Sequence, residues 1–166
     1  MATGMIQDNM GRPDGQELSL DNVRSQIKMP PQLQEAYERV VLAGMKVMFS
    51  KETNHLFLDE IDGEGEVAEK LGRGIAGLML MLFKESNQTM PPAVIIPAGM
   101  DLMMQAVDFV RKAGLAEVTN KDIGDAMEIF IGTIISKFGG NVQGMYQLVN
   151  NFDRNKIEAA QQQMGA

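Results

Sequence analysis

The feature that most constrains this chain is an apolar stripe with helical spacing, sustained through several long segments. From Pro31 onward, Leu33, Ala36, Tyr37, Val40, Val41, Gly44, Met45, Val47 and Met48 recur largely at steps of three and four, while Gln34, Glu35, Glu38, Arg39 and Lys46 fall mostly off that stripe. Side chains three and four apart share one face of an α-helix, so the pattern predicts an amphipathic helix that buries one side. Pro31 suits the first helical position, where its missing N–H is not needed. The helix is expected to run on to Ile61, or to break near Asn54 into two pieces.

The same period returns three more times. After the loop Asp62-Gly63-Glu64-Gly65, a second helix is expected over about 66–85, with Glu64 and Glu66 near the positive end of its dipole. Its second half is apolar nearly all round, which calls for burial on more than one face. Ala93-Val94-Ile95-Ile96 suits a short strand by local propensity. Prolines flank it and no second strand is evident, so it reads better as the approach to a third helix over about 97–113, with Met100, Met103, Met104, Val107 and Val110 inward. Gly114 stands where a C-cap glycine belongs. Thr119 with Asp122 three residues on approximates a capping box and opens a fourth helix to Phe138. A fifth begins near Asn141, with Val142, Met145, Tyr146, Val149 and Phe152 inward. Leu20, Val23 and Ile27 mark a short helix ahead of Met29-Pro30-Pro31, where proline disfavours helix in the residue before it. These elements predict an all-α helical bundle of about five helices: a flexible N-terminal arm at 1–18, a helical domain at 19–155 and a polar C-terminal tail at 156–166.

Composition narrows the function classes. With 166 residues, 45% of them apolar, the chain can bury a core as one domain. It has no Cys, so neither a disulfide framework nor a thiol nucleophile is available. Its net charge of −7, with basic residues scattered rather than clustered, argues against a nucleic-acid surface, which needs Lys and Arg in number against phosphate. The start lacks a basic segment followed by an apolar one, so no signal peptide is expected. The apolar stretch 75–83 is far short of the roughly 20 residues that span a bilayer, and a soluble, cytoplasmic chain without a membrane span is expected. The 15 Met and absence of Trp fit adaptable packing, in a core or along a contact groove.

Candidate chemistry weakens on inspection. Gly72-Arg73-Gly74-Ile75-Ala76-Gly77 is a literal G-x-G-x-x-G, but a dinucleotide site needs it between a strand and a helix, and here helix precedes it. Glycines that let a neighbouring helix approach explain it better, and Gly44, Gly99, Gly124 and Gly132 are expected to act alike. The acidic run from Asp59 to Glu66 misses the calcium-loop pattern, since Val67 stands at the sixth position counted from Asp62. His55 is the sole histidine, which denies a histidine-based metal site within one chain, and no serine lies in a G-x-S-x-G elbow. No cofactor, metal or catalytic residue is assigned.

What remains is apolar helix surface. Leu78, Met79, Met81, Leu82 and Phe83 on the second long helix, Met103 and Met104 on the third, and Phe130 on the fourth are candidate interface residues, with burial in a core as the competing role. An excess of such surface is how obligate interfaces look, so a homo-oligomer is expected. Two Met-rich stretches, Gly77-Leu78-Met79-Leu80-Met81-Leu82-Phe83 and Met100-Asp101-Leu102-Met103-Met104, together with the arm, the missing Cys and the Gln-rich end, resemble small helical structural proteins of tailed bacteriophage particles. The resemblance covers most of the chain in style and transfers no functional residue. It implies a non-enzymatic virion component, at the portal–tail junction or inside the capsid, assembled with other structural proteins in the host cytoplasm. The alternative is an adaptor bundle that grips a partner helix in a Met-lined groove.

Overall fold

The computed structural model describes residues 18–138. All of the expected arm except Leu18, the helix expected from Asn141 and the polar tail lie outside the described residues. The described chain is all-α: α1 (Leu20–Gln26), α2 (Pro31–Phe49), α3 (Asn54–Asp62), α4 (Val67–Glu85), α5 (Pro92–Ala113) and α6 (Asn120–Phe138).

Local chemistry sets the boundaries. Ser19 and Asn22 form a reciprocal capping box at the start of α1, and Thr119 and Asp122 do the same for α6. Between α2 and α3 the chain breaks over 50–53, just ahead of Asn54, the second of the two expectations: the Thr53 hydroxyl donates to the Val47 carbonyl at 2.7 Å, and the Asn54 amide turns back to the Ser50 carbonyl at 2.8 Å. Gly114 ends α5 with φ +69°, the left-handed conformation that glycine adopts without penalty.

The start of α5 corrects an expectation. The helix begins at Pro92, not near Pro97, and Pro97 sits inside it. An internal proline forfeits one backbone hydrogen bond and costs about 3 kcal/mol. Val94, Ile95 and Ile96 are buried to within 3% of full exclusion, and each such side chain gains about 1.5–3 kcal/mol on leaving water. Burial therefore outweighs the proline, and the β-branched run becomes helix.

α5 is the axis of the fold. Val94, Ile95, Ala98, Leu102, Met103, Ala106, Val107 and Val110 are fully excluded from solvent, and α1, α2, α4 and α6 all pack on it. By length and composition α5 could cross a membrane, with mean hydropathy 1.5 in its most apolar window, yet 78% of that window is buried within the fold. Its apolarity is that of a core helix enclosed on several sides. The most extensive packing lies between α4 and α6. Gly72 faces Ala126 and Ile129, and eleven residues further along α4 the Phe83 ring meets Phe138 edge-on at 4.8 Å, so the two helices run in the same direction.

The glycines divide by position. A Cβ on Gly44 would stand 2.3 Å from Leu102, on Gly72 2.8 Å from the Ala126 carbonyl, and on Gly99 2.1 Å from Phe130. These three allow close helix approach, as expected. Among the described residues, a Cβ on Gly77, Gly124 or Gly132 would meet nothing within 4 Å. The packing role expected for Gly77 on α4 and for Gly124 and Gly132 on α6 is thus corrected, because no described residue approaches any of them.

Candidate functional site

Two features stand out: one buried charge and one open apolar cleft. The charge is Asp101, midway along α5 and 1% exposed. An ionised carboxylate in such a place must be paired and hydrogen-bonded. Arg24 of α1 supplies a two-pronged contact, Nε to Oδ2 at 2.9 Å and Nη2 to Oδ1 at 3.1 Å. The Tyr37 hydroxyl of α2 donates to Oδ2 at 2.5 Å, and Gln105 Nε2 donates to Oδ1 at 3.2 Å one turn along α5. Burial, and then the hydrogen bond to Asp101, push the Tyr37 phenol well above the ordinary tyrosine range, because both favour its neutral form. The hydrogen bond to Asp101 likewise holds the Arg24 guanidinium above its usual value. Every acceptor site is taken by a donor from within the fold, so this cluster joins three helices and presents no free nucleophile or base. Sequence reading missed it; its only signal is a carboxylate set within the apolar run Met100 to Met104.

The cleft, of about 270 Å³, lies between α2, α3 and α4. Met48 closes its depth from α2, Leu56, Phe57 and Ile61 form one wall, and Leu71, Ile75, Leu78 and Met81 form the other. Glycine shapes the α4 side: a Cβ on Gly74 would come within 3.3 Å of Glu60 Cγ, while Gly77 leaves its position open. Two contacts stiffen α3. Lys70 Nζ donates to the Ile61 carbonyl at 2.7 Å and the Gly63 carbonyl at 2.8 Å, binding the end of α3 to α4. At the back, Phe57 packs on Phe49 and Phe109 with ring centroids 6.1 and 5.8 Å away, an aromatic trio completed by Phe49 and Phe109 at 5.4 Å. Leu56 at the mouth is 53% exposed.

The candidate interface residues separate in the same way. Met79, Met103, Met104 and Phe130 are at most 1% exposed and belong to the core, where α4, α5 and α6 meet. Their assignment to a surface is corrected: helical spacing gives their common face, and that face is turned inward. Leu78 is buried but lines the cleft beside Met81, which is half-buried. Leu82 and Phe83 are also half-buried, Phe83 against Phe138.

The glycine motif runs wholly within α4, with no strand before it. In the acidic loop, the cation at hand is the Lys70 ammonium, and among the described residues no group of three or more His, Asp or Glu side chains is placed to share a metal ion. His55 is exposed, one residue into α3. Compared with family models, curated proteins and solved structures, the chain finds no match.

Proposed function

We propose that the protein is a non-enzymatic assembly protein of a multicopy complex, and that a neighbouring molecule seats apolar side chains in the α2–α3–α4 cleft. The observation that carries this reading is the combination of an apolar, open cleft with rigid walls and an exposed Leu56 at its mouth. A wall fixed by Lys70 and by the aromatic trio does not have to be ordered on binding, which lowers the entropic cost of association. A bacteriophage particle is the setting we propose for such a complex, on the strength of the Met-rich helical stretches described above.

A second reading has its own support. Met48 and Met81 sit on opposite sides of the cleft, and flexible thioethers suit an adaptor that accepts a helix of a different protein. Photo-crosslinking from position 56 separates the two. With a photoreactive residue replacing Leu56, the assembly reading expects adducts between copies of this chain. Adducts solely with another protein favour the adaptor, and a probe that captures no protein at all contradicts both.

A further inference from the structure

We propose that residues 18–27, α1 with its flanks, form a detachable strap that opens from α5 as one unit while α2 to α6 stay packed. Three observations support it, and none depends on the function of the cleft. The strap's apolar anchorage is shallow: α1 is seven residues long, Val23 is the one fully buried side chain, Leu18, Leu20 and Ile27 pack on the core only partly buried, and its helix packing is concentrated on α5. A helix that short has no stability of its own in water, so it persists only while docked.

Polar bonds at both ends add to that shallow apolar contact. At the front, the Leu18 amide donates to Asn120 Oδ1 at 2.8 Å, and Arg111 Nη1 donates to the Leu18 carbonyl at 2.9 Å. At the back, Arg24 clasps Asp101. Asp101 keeps Tyr37 and Gln105 as donors when Arg24 leaves, and the Arg24 side chain, already 43% exposed, returns readily to water. The strap is thus held by bonds that water can replace on one side and that neighbouring helices partly replace on the other.

The third observation is a hinge. Ile27 is extended (φ −80°, ψ 112°), and residues 27–30 are not helical. Pro30 and Pro31 then fix the chain direction at the start of α2. Motion on the strap side therefore need not pass into α2. Opening bares the Asp101 carboxylate and the α5 surface around Met104 and Val107, which lie beside Leu18 and Leu20.

Residue-resolved hydrogen exchange of the full chain in rising urea tests this. Closed, the Val23 amide bonds to the Ser19 carbonyl and the Ile27 amide to the Arg24 carbonyl. Both amides are expected to exchange through an opening at least tenfold more frequent than that of α5 and α6, with a smaller urea dependence, because little surface is exposed. Arg24→Gln is expected to speed both by a common factor of tenfold or more and to leave α6 unchanged. The proposal is overturned if strap and core amides share one opening equilibrium and one urea slope, if Arg24→Gln speeds α6 equally, or if it leaves the strap amides unaltered.

Discussion

At the residue scale, Asp101 concentrates the electrostatics of the fold. Placing a carboxylate among Leu102, Met103 and Met104 is costly, and the donors of Arg24, Tyr37 and Gln105 offset that cost. Arg24→Ala removes charge-assisted bonds but leaves two donors in place, so a loss of about 1–3 kcal/mol in unfolding free energy is expected by urea denaturation. Tyr37 makes a second, pH-dependent prediction. Its phenol ionises at a higher pH in the folded chain than in the unfolded one, because burial and the Asp101 hydrogen bond favour the neutral form. The stability it contributes is therefore fully present below the ordinary tyrosine value of about 10 and is lost as pH rises beyond it. The urea midpoint is expected to fall more steeply above that pH in the native chain than in Tyr37→Phe. Equal slopes would remove Tyr37 from the account. None of this was legible in the sequence, since Arg24, Tyr37 and Asp101 lie on three helices and no local spacing relates them.

At the scale of the element, the sequence was most legible where local chemistry and burial agree. The periodic stripes of α2 and α6, the Thr119–Asp122 box and the Gly114 cap all describe short-range geometry, and the structure has each of them. Legibility failed where tertiary burial overrode a local signal. Pro97 looked like a helix start, but enclosure of Val94, Ile95 and Ile96 draws the helix back to Pro92. Glycines were misread for a related reason, because sequence does not distinguish a glycine under a neighbouring helix from one facing water. The difference is measurable. Gly99→Ala drives a methyl into the Phe130 ring and is expected to cost about 1–3 kcal/mol. Gly132→Ala fills open space on a helix and is expected to stabilise by about 0.5–1 kcal/mol. Thermal denaturation of the two variants should move the midpoint in opposite directions.

At the scale of the whole molecule, one buried helix organises the rest. α5 buries Met100, Met103 and Met104 with Val94, Ile95, Ile96, Val107 and Val110, and α4 and α6 close over it side by side. The apolar excess of the described helices is therefore largely interior, and Met79, Met103, Met104 and Phe130 serve the core. The all-α class was legible because each helix carries its own period. The cleft was legible only in part: Leu78 and Met81 were singled out on α4, but its opposite wall, Leu56 and Phe57, comes from α3 and became visible only when the two helices were placed together. Unlike the core, that wall leaves an apolar side chain in water, and association through it is the central claim. Light scattering on the eluting full chain, across a wide range of concentrations, tests it most directly. The account predicts a mass of at least two chains, returning to one chain in Leu56→Glu; one-chain mass in both proteins at every concentration would contradict it.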